Sequence, residues 1–307
     1  MNVSIIIPTY NPGKKFKVLI KKLLENLRHL QGEMEIIIID SCSSDGSLDF
    51  IEDKKIKIIK IKKSEFNHGG TRNFGANIAK GEVLVFITQD ALPANDYAIK
   101  KLIEPLLSNN SIGMTYGRQL PHPNADYFGS FARGFNYPTE SSIKTKADKH
   151  KLGIKTVFVS NSFAAYNKEI LLSKIGGFPK DTILSEDTYV AAKLIKSGYS
   201  IAYTGEAEVY HSHNYTIWQE FNRYFDIGTF YGRENWILKE FSAAEKEGNK
   251  FVITQLKDIW KSRRIYLFPS FFLRNSMKLI GYKLGIKENL LPVYIKKKIS
   301  MHKQFWD

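Results

Sequence analysis

The sequence predicts an α/β protein with a mostly parallel central sheet, helices on both faces of that sheet, and a basic helical extension at the C-terminus. Short apolar runs alternate with segments of helical periodicity through about the first 116 residues. This alternation is typical of parallel strands joined by right-handed helical crossovers. The last fifth differs, because residues 246–307 carry 14 Lys and Arg against 4 Asp and Glu. We therefore expect a sheet domain over residues 1–240 and a basic, aromatic, helical region over residues 241–307.

The individual elements follow from these patterns in chain order. Runs of isoleucine, valine and leucine predict buried strands at 3–10, 34–40, 56–61 and 83–88. Helical spacing and flanking glycines predict helices at 16–30, 69–81 and 95–107. Periodicity then weakens over residues 117–156, and a loop of that length is uncommon unless it forms a lid or binds a ligand. Beyond it we expect a strand near 156–160, helices near 168–175 and 187–196, and strands near 200–204 and 207–211.

Composition narrows the class of protein. With 43% hydrophobic and 25% charged residues, the chain can bury a core and is typical of a soluble globular protein. A net charge of +14 favours an acidic partner, such as a nucleotide phosphate, an anionic membrane or nucleic acid. The one cysteine, Cys42, excludes an intrachain disulfide and suits a reducing compartment. The N-terminus lacks the pattern of a secretory leader, and no apolar run reaches the ~18 residues that would span a bilayer.

Polar residues follow three of the predicted parallel strands, where ligands of such sheets bind. They are Thr9 and Asn11 at the end of the first strand, with Pro8 beside them, Asp40 and Ser41 at the end of the second, and Thr88, Gln89 and Asp90 at the end of the fourth. Asp40 could bind a ribose hydroxyl or the imide of a pyrimidine base, or it could cap the short helix that follows. Asp90 could hold a divalent ion together with diphosphate oxygens, or it could be a turn residue bonded to its own backbone.

Two further clusters carry titratable groups. Glu186 and Asp187 open a predicted helix, where they could complement the helix dipole or provide a general base and a group that orients it. His211 and His213 follow a strand and face the same way, so they are either alternatives for one ligand position or a polar edge. The sequence contains no Walker loop, no paired cysteines and no dinucleotide-binding glycine pattern.

Together these motifs resemble glycosyltransferase family 2, the GT-A nucleotide-sugar transferases, over about residues 3–235. The resemblance rests on SIIIPTYN (4–11), IIIIDSCSSDGS (36–47), VLVFITQDA (83–91) and SED (185–187). FNHGGTRNFGANIA (66–79) followed by FITQDALP (86–93) is similar to the bacterial rhamnosyltransferases of O-antigen and other cell-surface polysaccharides. The resemblance implies a Rossmann-like GT-A fold and transfer of a sugar, expected to be L-rhamnose from dTDP-L-rhamnose, with inversion at its anomeric carbon.

The resemblance also implies roles for single residues. Asp187 matches the catalytic base, with Glu186 beside it, and Arg72 would face the diphosphate or the donor sugar. Asp90 matches the second acid of the family's Asp-x-Asp motif and would bind Mg²⁺ or Mn²⁺ with His211, or with His213 as the alternative. Thr88 replaces the first acid of that motif, and a hydroxyl is a poor metal ligand, so metal affinity is expected to be weak.

The remaining nucleotide-side residues implied by the resemblance are Thr9, Asn11 and Asp40, which would contact the base and ribose. From its guanidinium chemistry alone, Arg223 could clamp the diphosphate, although a solvated helix arginine is an equal alternative. Aromatic residues near the weakly periodic region could stack on an acceptor sugar or fill the core. These aromatic residues are Tyr116, His122, Tyr127, Phe128, Phe131 and Phe135.

The basic C-terminal region has two interpretations that stay open. It could lie on the anionic inner membrane and meet a lipid-linked acceptor at the cytoplasmic face, or it could pack as a helical subdomain or a homodimer interface. Nucleic acid is not expected as a partner, because it would leave the three acidic residues without a role. The alternatives to a rhamnosyltransferase are a transferase that uses a UDP-sugar or GDP-mannose, and a non-catalytic module that binds a sugar nucleotide or a membrane.

Overall fold

The computed structural model describes residues 2–242 and 245–307. Its contacts divide the chain into two compact units. The first unit comprises the described residues up to 147, with 157–180 and 186–212; the second comprises 148–156, 181–185 and the described residues from 213 onward. The predicted domain boundary near residue 240 stays a prediction.

The first unit is built on one mixed, mostly parallel sheet of nine strands. The strands are β1 (Val3–Thr9), β2 (Met34–Asp40), β3 (Ile56–Lys60), β4 (Val83–Ile87), β5 (Leu92–Pro93), β6 (Ile112–Leu120), β7 (Ser142–Lys144), β8 (Phe163–Asn167) and β9 (Ser200–Tyr210). Their order across the sheet is β3-β2-β1-β4-β8-β6-β9-β5, and β7 pairs with β9. The first four in this order are parallel, as is the β6–β9 pair, whereas β8 is antiparallel to both of its neighbours.

Helices of the first unit connect these strands. They are α1 (Phe16–Leu27), α2 (His68–Ile78), α3 (Ala98–Ser108), α4 (Tyr127–Asn136) and, after α5 (Lys149–Leu152) of the second unit, α6 (Glu186–Lys196). The isoleucine-rich cores of β1 and β2 are fully buried, and the apolar face of α1, including Leu23, packs into the same cluster. Burial of these contiguous apolar runs explains why the first four strands lie close to where periodicity predicts them.

Three predicted features differ in the structure. Residues 153–157 form a 3-10 turn and the strand comes later, at Phe163–Asn167, so the strand predicted near 156–160 is wrong. The predicted long loop contains the end of β6, the helix α4 and β7. The two strands predicted over 200–211 are one continuous strand, β9.

The second unit is helical. Its helices are α5 (Lys149–Leu152), α7 (Ile217–Arg233), α8 (Asn235–Phe241), α9 (Glu245–Lys261), α10 (Phe268–Ile286) and α11 (Val293–Ile299). Glycines bring α7 and α10 together: a Cβ on Gly285 would lie 2.1 Å from the backbone oxygen of Phe225, and one on Gly228 would lie 2.2 Å from that of Tyr282. The backbones are therefore in direct contact along this interface.

Across residues 2–242 and 245–307, none of the helices is both long enough and apolar enough to cross a bilayer.

Candidate active site

The ends of β1 and β2 form one wall of the site. Thr9 and Asp40 are paired in register on these adjacent parallel strands, and both side chains are buried. Pro8 precedes them, and the Thr9 hydroxyl donates a hydrogen bond to the backbone oxygen of Ile7 at 3.1 Å. The pairing brings the residues after the two strands to one edge, as the sequence predicts.

Asn11 ties the two loops of this edge together. Its backbone N–H donates to the hydroxyl of Ser43 at 2.8 Å, and its side-chain oxygen accepts from the backbone N–H of Ser44 at 2.8 Å. Asn11 has a φ of 43°, a left-handed conformation that asparagine tolerates better than most residues. The residue type is therefore explained by local geometry as well as by a possible ligand.

The position of Asp40 is compatible with both of its predicted roles, capping the segment that follows β2 and contacting a ligand. Its carboxylate accepts the backbone N–H of Ser43 at 3.1 Å and the hydroxyl of the same residue, so it caps the turn that follows β2. It also lines a cavity of about 160 Å³ together with Lys60 and Asp49. Beside it, the hydroxyl of Ser41 is buried and has no hydrogen-bond partner in the described part of the chain. An unsatisfied buried hydroxyl is costly, which is consistent with a partner that the protein itself does not supply.

The loop after β4 is held against the loop after β1. The side chain of Gln89 accepts the Tyr10 backbone N–H at 2.8 Å and donates to the Tyr10 backbone oxygen at 3.1 Å. The Thr88 hydroxyl is buried and, among the residues described, has no hydrogen-bond partner. Gln89 therefore ties the loop that carries Asp90 to the backbone of Tyr10, in the loop after β1.

Asp90 and His211 form a pair that suits a cation. The Nε2 atom of His211 lies 3.5 Å from a carboxylate oxygen of Asp90, which is 46% exposed, whereas the imidazole is buried. The other ring nitrogen, Nδ1, is 2.9 Å from the side-chain oxygen of Gln119. This bond requires Nδ1 to be the donor, so in the neutral ring the Nε2 lone pair is directed toward the carboxylate. Two lone-pair donors at this separation are favourable only with a cation or a proton between them.

His122 lies close to Asp90 and His211, although the sequence predicted only that its ring could stack on an acceptor sugar or fill the core. Burial lowers the pKa of His122, and the neighbouring His211 lowers it further, while Asp90 opposes both effects. His213, the predicted alternative ligand, belongs to the second unit, where its ring stacks on Tyr215. Arg223 is on α7 of the same unit, and its guanidinium lies 5.8 Å from the centre of the Tyr215 ring.

Glu186 is the centre of a buried ionic cluster. Its carboxylate lies 3.2 Å from Nη1 of Arg72 on α2, and both side chains are less than a tenth exposed. Burial alone would raise the pKa of Glu186, but the charge of Arg72 and a hydrogen bond from Asn161 help to hold it below its ordinary value. Glu186 is therefore an ionised, anchored group rather than a mobile one.

Asp187 has the opposite electrostatics. Burial and the adjacent charge of Glu186 raise the pKa of Asp187 to about 6. Its carboxylate accepts the backbone N–H groups of Asn161, at 2.9 Å, and Thr188, at 2.6 Å. Two neighbouring carboxylates with pKa values displaced in opposite directions are typical of an acid–base site.

The segment 160–162 connects these clusters, and sequence reasoning missed it. Ser160 accepts a hydrogen bond from the side chain of Gln119, Asn161 donates to both acids, and the oxygen of Ser162 accepts from the Thr88 N–H. The side chain of Asn161 also accepts from the buried Tyr166 hydroxyl at 2.7 Å. No local motif marks these residues, because the two acids and Gln119, which they contact, lie 25 or more positions away in the chain.

The predicted aromatic residues separate into two groups. Tyr116 is buried against Tyr203, and its hydroxyl accepts a hydrogen bond from Lys144, so it fills the core. Tyr127, Phe131 and Phe135 instead form a row of stacked rings along α4, with centroids 6.0 and 6.2 Å apart and partial exposure. Phe128, on the same helix, is buried.

Comparison with known sequences identifies relatives of the whole chain. The family model of glycosyl transferase family 2 matches residues 4–173, more than half of the chain. The O-antigen chain rhamnosyltransferase RfbN of Salmonella typhimurium is 42% identical over 309 residues, covering 100% of this chain and 96% of that protein. The O-antigen chain rhamnosyltransferase WbaN of Salmonella anatum is 41% identical, covering 99% of this chain and 95% of that protein.

Solved structures confirm the fold. A mannosyltransferase of Pyrobaculum calidifontis, determined with GDP-Man and Mn²⁺, has a TM-score of 0.62 at 15% identity and covers 94% of this chain and 86% of its own. Residues 1–349 of Staphylococcus aureus TarS give a TM-score of 0.57 at 16% identity, covering 94% and 91%. These likenesses show a common α/β architecture, the GT-A fold that the sequence motifs predicted.

Proposed function

The chain belongs to glycosyl transferase family 2 and is a glycosyltransferase, and on that premise we propose that it transfers L-rhamnose from dTDP-L-rhamnose to a saccharide acceptor in O-antigen synthesis. Two relatives that match nearly the whole chain are named as O-antigen chain rhamnosyltransferases, which supports the choice of sugar and process. The donor base and the acceptor are inferred from this relationship.

The single observation that carries the proposed chemistry is the pair formed by Glu186 and Asp187. Asp187 has a pKa raised to about 6, so near neutral pH it is ionised and able to accept a proton. In the proposed reaction it removes the proton of the acceptor hydroxyl as that oxygen attacks C1 of the sugar, and the bond from C1 to the diphosphate breaks. One displacement inverts the anomeric centre.

Glu186 acts as the positioning residue in this proposal. Its ionised carboxylate is fixed by Arg72 and by Asn161, and its charge helps to raise the pKa of Asp187. The predicted contact between Arg72 and the donor diphosphate stays a prediction. In the structure, Nη1 of Arg72 interacts with Glu186 and with the backbone oxygen of His68.

The nucleotide is proposed to bind along the ends of β1, β2 and β4. Asp40 and Ser41 would contact the base and ribose, where a cavity and an unsatisfied buried hydroxyl are found. Asn11 and Gln89 would hold the surrounding loops in place through the contacts described above, and Thr9 stays a predicted contact of the nucleotide. Arg223 stays a predicted diphosphate contact.

The residues present fit a divalent ion, which Asp90 and His211 would hold. An ion at this position would neutralise charge on the leaving diphosphate. The Gln119 contact fixes the ring orientation of His211, and the exposed Asp90 carboxylate can reach solvent and ligand. The Mn²⁺ in the Pyrobaculum calidifontis mannosyltransferase supports this proposal.

The catalytic proposal is tested with Asp187→Asn. This change removes the base but keeps an oxygen that can accept the Asn161 N–H, so we expect transfer from dTDP-L-rhamnose to fall by about 10²–10⁴-fold. Donor binding, measured by calorimetry, should change little. Asp53→Asn, at an exposed position away from the site, is the matched control. Wild-type turnover in Asp187→Asn would exclude Asp187 as the base.

The choice of donor is tested separately. Donor hydrolysis and transfer should be measured with dTDP-L-rhamnose, UDP-sugars and GDP-mannose, and we expect turnover with dTDP-L-rhamnose alone. Preferred turnover of another nucleotide sugar would keep the transferase assignment but replace the donor. Binding without turnover of every donor and acceptor would favour a non-catalytic module.

We also propose that the acceptor is lipid-linked and that the enzyme acts at the cytoplasmic face of the inner membrane. Support comes from the O-antigen relatives and from the basic C-terminal region, which carries a net charge of +10 over residues 246–307 (14 basic minus 4 acidic).

A further inference from the structure

The outer side of α10 carries an apolar surface that no described residue covers. The inner side of the helix packs on α7 through glycines, as described above. The opposite side presents large apolar residues to solvent: Phe272 is 60% exposed and Leu279 is 56% exposed. The other members of this surface are Leu273, Ile280 and Leu284, which are 51%, 48% and 38% exposed. A helix that is apolar on both sides needs a partner on each.

The same surface continues onto the residues that precede α10. Trp260, at the end of α9, is 67% exposed and stacks on Phe268, whose ring in turn contacts Phe272. The connecting turn adds Ile265, which is 55% exposed, and Tyr266, which is 78% exposed. We call this set of eight exposed residues the outer face of α10: Trp260, Ile265, Tyr266, Phe272, Leu273, Leu279, Ile280 and Leu284. Exposed apolar surface of this extent marks an interaction site.

The charge around the outer face of α10 is of one sign. Residues 259–287 contain seven Lys and Arg and no Asp or Glu. Two of the seven, Arg274 and Lys278, are directed inward to Glu220, at 3.1 and 3.2 Å. The five remaining basic residues, Lys261, Arg263, Arg264, Lys283 and Lys287, are exposed. The surface therefore combines apolar side chains with an exposed positive border.

This combination distinguishes between possible partners. A second copy of the chain would bring two positive borders together, which is unfavourable at ordinary salt. An anionic lipid surface provides both an apolar layer for Trp, Tyr, Phe and Leu and phosphates for the basic side chains. Each basic residue near such a surface contributes on the order of 1 kcal/mol.

We propose that the outer face of α10 lies on an anionic lipid bilayer, with its apolar side chains among the acyl chains near the headgroups and its basic border against the lipid phosphates. The proposal deepens the proposed function, in which the acceptor is carried by a lipid, and rests on it only in that respect. It assigns the contact to a specific helix face rather than to the basic region as a whole.

The test is vesicle binding by the full-length protein. Co-sedimentation should be measured with vesicles of phosphatidylglycerol and phosphatidylethanolamine and with vesicles of phosphatidylcholine alone. We expect binding to the anionic vesicles, at least about tenfold weaker binding to the neutral ones, and weakening as NaCl rises from about 0.1 M to about 0.5 M. Equal binding to both vesicle types at both salt concentrations would overturn the electrostatic part of the proposal.

The face is identified by substitution. The double variant Phe272→Ser with Leu279→Ser removes two exposed apolar anchors, and we expect at least about tenfold weaker binding to anionic vesicles. Leu107→Ser is the matched control, because Leu107 is an exposed leucine, at 50%, in the first unit. The double variant should keep its thermal unfolding temperature and its transfer rate to a soluble saccharide acceptor.

Three outcomes would overturn the proposal. The first is vesicle binding by the double variant that equals that of the wild type. The second is a wild-type protein that does not bind vesicles and forms a dimer that the double variant loses. The third is a wild-type protein that binds nucleic acid in preference to vesicles. Failure of rhamnosyl transfer is a separate result, because vesicle binding is measured without donor or acceptor.

Discussion

At the scale of single residues, the raised pKa of Asp187 predicts how the activity depends on pH. Because the pKa of Asp187 is raised to about 6, the proposed base would be protonated and inactive at lower pH. We expect kcat/KM of the wild-type enzyme to rise with pH to a plateau above about 6. Steady-state rates measured across this range test the prediction. A plateau that continues well below the raised pKa would show that the burial and the Glu186 charge do not act on the catalytic group.

The cause of that shift can be tested by removing the charge of Glu186. Glu186→Gln keeps an oxygen that can accept from Asn161 but no longer repels a negative charge on Asp187. The acid limb of kcat/KM should then move to lower pH, although burial still raises the pKa. A lower rate with an unmoved limb would indicate that Glu186 has a structural role only, since the variant also leaves Arg72 buried without its carboxylate.

Asp226 on α7 gives a prediction about stability. Burial raises the pKa of Asp226 to about 6, while its carboxylate accepts the backbone N–H of Met301 at 2.9 Å. Since this pKa lies above the ordinary value of 3.8 for an aspartate, the folded state binds the proton more tightly than the unfolded chain does. The stabilisation is present at low pH and is lost as pH rises from about 4 to about 6.

Asp226→Asn is therefore expected to raise the free energy of unfolding at neutral pH by on the order of 1–3 kcal/mol and to change it little near pH 4. The amide keeps an acceptor for the Met301 N–H and removes a buried charge. Urea unfolding at the two pH values is the measurement. A loss of stability at neutral pH would mean that the ionised carboxylate is required where it lies.

At the scale of elements, the contact between α7 and α10 depends on glycines. Gly285→Ala places a methyl group 2.1 Å from the backbone oxygen of Phe225, so the helices must separate. We expect the free energy of unfolding to fall by roughly 1–3 kcal/mol. Gly248→Ala in α9 is the control, because a Cβ there meets no atom within 4 Å and alanine favours the helix by up to ~1 kcal/mol. Equal effects of the two changes in chemical unfolding would contradict this account.

The elements also show where a sequence pattern is sufficient to predict a strand and where it is not. The runs that form β1 and β2 are buried on both faces, so their apolar character alone predicts them. Residues 156–160, TVFVS, have the composition of a strand, and Val157 and Val159 are indeed buried. Their segment instead leads into the contacts of Asn161 with the two acids. Burial without strand pairing cannot be recognised from composition, because the competing hydrogen bonds come from distant residues.

At the scale of the whole molecule, the proposed metal dependence rests on two residues that come from separate strands. Asp90 comes after β4 and His211 after β9, and a hydroxyl replaces the further acid that would strengthen the site. We expect transfer to stop in EDTA and to return with Mn²⁺ or Mg²⁺ at high concentration. Asp90→Asn should also abolish the thermal shift that Mn²⁺ produces in the wild type. A metal-induced shift that survives this change would place the ion elsewhere.

Only part of the candidate site could be predicted from the sequence. The rule that ligands bind at strand ends identified Asp40 and Asp90, and the helix start identified Asp187, because each lies beside a strong local pattern. Asn161 and Gln119 have no such pattern, yet Asn161 contacts both acids and Gln119 orients His211. Tyr116 was equally suited to a surface or a core by type, and only tertiary packing places it in the core.

One feature of the fold constrains how this enzyme can diverge. Ser160 and Asn161 are adjacent, so the hydrogen bonds of Gln119 and of Asp187 end on neighbouring residues of one strip of chain. In the proposed reaction, Asn161 positions the base Asp187, and Ser160 contacts Gln119, which orients the metal ligand His211. A substitution that moves these two adjacent residues would therefore change both proton removal and departure of the leaving group. Adapting the protein to a new sugar nucleotide without loss of acceptor activation would therefore require compensating changes on both sides of those two residues.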